Sequence, residues 1–187
     1  MRYVFFVVND YFASLEIPRH LAIDTKDLER RYYALSRKLH PDLFARGAPA
    51  EREQADAVMA VLNDAWRTLR DPIARALYVL KQEGFDIAEQ GTKDVPPELL
   101  EEVFELNMAL DEVAHGDSDA ATQVMAARSR FEIMRGEIDA ALTTQFAVWD
   151  ASRSPGHLQQ IRALLNRRKY VTNLIQRATE ATEHVSD

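Results

Sequence analysis

Apolar and polar residues alternate along the chain with a helical period almost throughout. Between Asp24 and Leu39 the residues Leu28, Tyr32, Leu35 and Leu39 recur at steps of four, three and four, one face of an amphipathic helix. Asp24 or Thr25 can cap its start, and Pro41 forces its end near Leu39. A second pattern runs from about Pro49 to Leu69, with Val58, Leu62, Ala65, Trp66 and Leu69 on one face. Asp71-Pro72 opens a further helix carrying Ile73, Leu77 and Leu80, proline being tolerated in a first turn, and Gly84 closes it.

The stretch from Asp86 to Pro97 is polar, contains Gly91 and ends in two prolines, as a linker does. Three more helical patterns follow, at roughly 97–115, 118–146 and 156–184, with breaks at His115-Gly116-Asp117 and at Ser152–Gly156. No stretch shows the period of two expected of strands. The spacing therefore predicts an all-α protein: a four-helix N-terminal unit over 10–84, a linker over 85–96 and a three-helix bundle over 97–187.

The first helix of that bundle carries more apolar surface than a bundle requires. Leu99, Val103, Leu106, Leu110 and Val113 form a seam at steps of four, three, four and three. Leu100, Phe104 and Met108 form a second stripe, turned by roughly 100–180° from the seam at about 100° per residue. Glu101, Glu105 and Glu112 lie beside this stripe, and Glu98–Glu112 contains six acidic residues and no basic one. Two arrangements fit: a wide face buried by both other helices, or a free surface for an apolar and basic partner. The second helix has its own seam at Val124, Ala127, Phe131, Met134 and Ile138. The third carries Leu158, Ile161, Leu164, Leu165, Val171 and Ile175. Its basic cluster Arg167-Arg168-Lys169 suits a solvated face or a pairing with the acidic first helix.

Composition narrows the function classes. The 187 residues include no cysteine, which removes disulfides, thiolate catalysis and cysteine-ligated metal, and is compatible with a reducing cytoplasm. A net charge of −7 argues against a general nucleic-acid binder. The apolar run Tyr3–Val8 is about a third of a membrane span and lacks a cleavage site, so it reads as a packed segment. No other stretch is long enough to cross a membrane, and the expectation is a soluble, cytoplasmic protein.

His40-Pro41-Asp42 ends the helix that begins at Asp24. As an acid/base pair the two flanking residues are poorly placed, since they should diverge around the proline at a loop tip. The other histidines (His20, His115, His157, His184) have no ligand spacing, so no metal and no cofactor is expected. Pro-Asp is also ordinary turn chemistry. The flanks favour docking: from Lys26 to Lys38 five cations (Lys26, Arg30, Arg31, Arg37, Lys38) stand against Asp27 and Glu29, a local +3 in an acidic chain. A basic face ending in an exposed turn suits electrostatic docking onto an acidic partner, although a plain solvated face has the same composition.

Tyr32-x-x-Leu35-x-x-x-x-His40-Pro41-Asp42, with Asn63-Asp64-Ala65-Trp66-x-x-Leu69-x-Asp71-Pro72 downstream, resembles a J-domain over residues 10 to 83. The resemblance implies that His40, Pro41 and Asp42, with Arg30, Arg31, Arg37 and Lys38 on the basic helix, engage a DnaK-type ATPase chaperone and stimulate its ATP hydrolysis. The chemistry would then take place in the partner, and the chain would not be an enzyme. Asp42 would offer a carboxylate to a cation on the partner, Pro41 would stiffen the turn, and the basic residues would steer the encounter. Tyr32, Leu35 and Leu39 would be core.

With the bundle included, nearly the whole chain resembles the HscB (Jac-type) co-chaperones of iron–sulfur cluster assembly. Glu105-Leu106-x-x-x-Leu110-Asp111-Glu112, and Gly84-Phe85-Asp86 after Tyr78-x-Leu80, carry this second likeness. It implies that the bundle holds an IscU-type cluster scaffold and presents it to an HscA-type chaperone. The scaffold-facing residues would be Leu100, Phe104, Glu105, Met108 and Glu112, with Tyr170 on the last helix. Met108 stands where that family usually has a carboxylate, and Glu101 where it has an apolar residue.

Overall fold

The structure, a computed structural model, describes residues 10–44, 47–85 and 97–183. The Tyr3–Val8 run and linker positions 86–96 lie outside the described residues. Among those described, regular structure is entirely helical: α1 (Tyr11–Ser14), α2 (Thr25–Leu39), α3 (Pro49–Arg70), α4 (Pro72–Gln82), α5 (Leu100–Ala114), α6 (Ser118–Ser152) and α7 (Pro155–Glu183). Short 3-10 turns cover Pro41–Phe44 and Pro97–Leu99. The chain divides into two compact units between Phe85 and Asp86.

In the first unit α3 is the spine, packed by α1, α2 and α4. Its buried face is Ala55, Leu62, Ala65 and Leu69, while Val58 and Trp66 are only half-buried. The Tyr32 ring on α2 stacks on Trp66 with centroids 5.0 Å apart, and its hydroxyl donates to Asn63 Oδ1 at 2.8 Å. This places Tyr32 in the α2–α3 seam; Leu35 and Leu39 are half-buried alongside.

Arg75 is the buried charge of this unit, 4 % exposed. Its guanidinium donates to the Leu21 carbonyl at 2.9 Å and to the Leu69 carbonyl, tying the α1–α2 loop to the last turn of α3. A cation there also complements the negative end of the α3 dipole. Asp71 both ends α3 and caps α4, accepting from the Ile73 and Ala74 N–H groups at 2.8 and 2.7 Å. Gly84, at φ +79°, lets Phe85 N–H reach back to the Leu80 carbonyl at 2.9 Å, closing α4.

The second unit is an up-down-up bundle. Asp117 caps α6 by accepting from Asp119 N–H at 2.9 Å. The second helix runs to Ser152, beyond the expected 146, because Phe146 and Trp149 continue its buried seam. The break narrows to two residues: Arg153 turns left-handed at φ 54° and its guanidinium lies 4.4 Å from the Trp149 ring centroid. Pro155 and Gly156 then fall inside the first turn of α7, where proline needs no N–H partner. On the basic cluster of α7, Arg168 forks onto Asp139 of α6 at 2.5 and 3.3 Å. Arg168 therefore braces α6 against α7 and does not answer the acidic first helix.

Candidate functional site

The tip of the first unit is built by a helix that cannot continue. His40 is the C-cap of α2, in an extended conformation, and Pro41 opens the 3-10 turn that Leu43 N–H closes onto the His40 carbonyl at 3.0 Å. His40 and Asp42 do not diverge as expected. The turn folds the imidazole back, so that Nδ1 accepts from Asp42 N–H at 3.3 Å and lies 3.4 Å from Asp42 Oδ2. Histidine thus rigidifies the turn, while the Asp42 side chain, 90 % exposed, is presented to solvent.

The basic residues of α2 separate into two groups. Arg31 Nε donates to Asp27 Oδ2 at 2.8 Å and its Nη1 to the Glu16 carbonyl at 2.8 Å, so this guanidinium is part of the scaffold of the unit. Arg30 also bonds Asp27 but remains exposed. The hydrogen bond from Arg31, opposed by partial desolvation and aided by the charge of both arginines, holds the Asp27 carboxyl below its ordinary range. Arg37 and Lys38 are exposed, with no partner among the described residues. Lys26, Arg30, Tyr33 and Arg37 follow one another at steps of four, three and four opposite the core stripe, and all four are exposed, Tyr33 by 52 %. Lys26 and Tyr33 belong to this outward face and were not among the expected site residues. Their signal is the complement of the Leu28–Leu39 stripe. Leu43, just past the tip, is 64 % exposed.

On the second unit, α5 buries Val103, Leu106, Ala109 and Val113, with Leu99 just ahead of it. Leu100, Phe104 and Met108 stay outside at 54, 64 and 51 % exposure, so α6 and α7 do not cover the second stripe. Two polar bonds fix its edges. Glu105 accepts from Arg130 of α6 at 3.1 Å, and Asn107 accepts from Arg177 of α7 at 2.8 Å. Tyr170 lies seven residues before Arg177 on α7, as Leu100 lies seven residues before Asn107 on α5. Tyr170 is half-buried; burial raises its pKa, against the opposing charge of Arg177. Glu101 and Glu112 are exposed, without a partner among the described residues, whereas Glu105 is already neutralised in part. Arg130 has no local sequence signal, since its partner lies 25 residues away. Leu100, Phe104 and Met108 thus form an exposed apolar strip on α5, with Glu101, Glu105 and Glu112 beside it.

Among the described residues no three His, Asp or Glu side chains gather into a metal-sized group, and no helix is long and apolar enough to cross a membrane.

A DnaJ-domain family model matches residues 10–78, and the model of the HSCB C-terminal oligomerisation domain matches residues 95–179. Among solved structures, chaperone HscB from Vibrio cholerae is similar at 24% identity and a TM-score of 0.65, over 94% of this chain and 99% of that one. The human co-chaperone protein HscB is similar at 25% identity and a TM-score of 0.69, over 94% of this chain and 83% of its own. A DnaJ domain whose tip is His40-Pro41-Asp42, followed by an HSCB C-terminal domain of three helices, places this chain in the HscB family of J-domain co-chaperones.

Proposed function

We propose that the protein binds an IscU-type iron–sulfur scaffold on the exposed α5 face and delivers it to a DnaK/HscA-type chaperone, whose ATPase it stimulates through His-Pro-Asp. The observation that carries this reading is the Leu100–Phe104–Met108 strip. The bundle leaves three large apolar side chains roughly half exposed. Full burial of such a side chain is worth roughly 1.5–3 kcal/mol, so a partner that covers what remains gains about half of that for each, before association costs. The carboxylates beside the strip select a basic rim on that partner, and Met108 in place of a family carboxylate shifts the choice toward a more apolar contact.

In the first unit, the Asp42 carboxylate meets a cation of the chaperone while Lys26, Arg30, Arg37 and Lys38 steer its approach. Tyr33 adds apolar area at the centre of the basic face. Arg31 acts indirectly, by holding α2 against the Glu16 turn. The chain performs no bond chemistry itself. Its work is to join client and chaperone, each bound unit raising the effective concentration of the other's ligand. We place this activity in the cytoplasm, where a chain without cysteine gains nothing from oxidising conditions.

Calorimetric titration with an IscU-type scaffold tests the client half. Wild type and Asp42→Asn should bind alike, and Phe104→Ala should bind at least about tenfold more weakly, as expected for truncating a central aromatic anchor. Equal affinity of Phe104→Ala and wild type would remove α5 as the client face.

A further inference from the structure

Sulfur enters this chain only as methionine: the sequence holds five methionines and no cysteine. Among the described residues, Met59 and Met134 are half-buried, whereas Met108 and Met125 are exposed, by 51 and 50 %. An exposed thioether is open to oxidation, and what its oxide does depends on where it sits. Met125 lies on α6 and belongs to neither docking surface. Met108 completes the Leu100–Phe104–Met108 strip of α5.

The surroundings of Met108 make its oxidation consequential. Its neighbours three and four residues away on the helix surface are Phe104, Glu105, Asp111 and Glu112. One is a phenyl ring and three are carboxylates, which accept hydrogen bonds and donate none. A sulfoxide oxygen is an acceptor, so these neighbours offer it no donor and water must solvate it. A partner seated on the strip has to displace that water, and burying a polar group without a hydrogen bond is costly. The sulfoxide carries no net charge, so the carboxylates beside it keep their electrostatic role. The unoxidised thioether, by contrast, is a flexible apolar side chain that adapts to an opposing surface.

We propose that Met108 is an oxidation site at which hydrogen peroxide turns off client docking on α5. A sulfur lone pair attacks one peroxide oxygen; the S–O bond forms and the O–O bond breaks. The displaced hydroxide takes the proton left on the transferred oxygen and leaves as water. Sulfur is oxidised and the peroxide reduced by the same electron pair, and methionine sulfoxide reductases return the thioether. The inference rests on the client reading of the strip and adds its regulation. A client seated on the strip covers the thioether, so docking in turn slows its oxidation.

To test this, the full chain is treated with hydrogen peroxide, freed of it with catalase, mapped by peptide mass spectrometry and titrated calorimetrically with an IscU-type scaffold. Protein carrying the sulfoxide at Met108 should bind about tenfold more weakly, the order expected for one desolvated acceptor, with an unchanged melting temperature. Treatment with the reductases should restore the affinity. Met108→Leu should bind equally before and after peroxide, whereas Met125→Leu should respond as wild type does. Scaffold added before the peroxide should protect Met108 and leave Met125 as reactive as before. Full conversion of Met108 with no loss of affinity would overturn the inference, as would a loss that persists in Met108→Leu. Untreated wild type that fails to bind the scaffold would overturn the client reading itself, and the inference with it.

Discussion

At the scale of single residues, buried charge and caps do the organising. Arg75 satisfies the Leu21 and Leu69 carbonyls from inside the first unit. Arg75→Ala leaves those carbonyls without this donor and is expected to cost about 3 kcal/mol, read as a lower urea midpoint for the J-domain transition. Arg75→Lys should recover little, because an ammonium cannot reproduce the fork. Tyr78 stacks on Tyr11 at 4.5 Å, accepts from Tyr11 N–H at 3.0 Å and donates to Asp10. Burial, the largest cause, raises its phenol pKa. The sign follows from linkage: the neutral phenol is the form the fold favours, so its contribution is complete below the ordinary tyrosine value of about 10. It is lost as pH rises through the higher folded value. Unfolding followed from pH 8 to pH 11 should show an alkaline fall in stability that Tyr78→Phe makes shallower.

At the scale of elements, α2 and α5 each divide into a packed face and a presented one. Leu106 is fully buried and Phe104 mostly exposed, two residues apart on α5. Leu106→Ala should cost about 2–5 kcal/mol, whereas Phe104→Ala should leave the melting temperature within about a degree. A comparable thermal loss for both variants would mean that the strip is structural. On α2, Tyr33→Ala should lower chaperone stimulation several-fold without changing thermal stability.

Much of this was legible from periodicity. The Leu28–Leu39 stripe, the doubled stripe of α5 and the Asp-Pro start of α4 depend on neighbours within one or two turns. Other features depended on distant partners. Arg31 reads as a surface cation until Asp27 and the Glu16 carbonyl meet it. Arg168 looks like part of a basic patch until Asp139 is placed opposite. The end of α6 was obscured because Ser-Arg-Ser-Pro-Gly has loop composition, yet proline and glycine are both tolerated in a first helical turn, and Trp149 keeps the seam going. The His40–Asp42 closure follows from the 3-10 turn, which a tripeptide alone does not reveal.

At the scale of the whole molecule, the chain offers a basic tip on one compact unit and an acidic-rimmed apolar strip on the other, within an overall charge of −7. On the proposed function, these two faces of opposite character would take two unlike partners. An adaptor of this kind shows a maximum: client–chaperone crosslinking should rise with added protein and fall when an excess occupies each partner separately. Steering by Lys26, Arg30, Arg37 and Lys38 should make chaperone association slower in high salt, while client binding through the strip should vary less.

The most direct test is steady-state ATP turnover by a DnaK/HscA-type chaperone with and without an IscU-type scaffold, adding wild type, Asp42→Asn or Phe104→Ala in turn. The account predicts that wild type stimulates in both conditions and more strongly with scaffold. Asp42→Asn should fail in both, and Phe104→Ala should lose only the scaffold-dependent part. Stimulation by Asp42→Asn equal to that of wild type would reduce His40-Pro41-Asp42 to a turn and contradict the account.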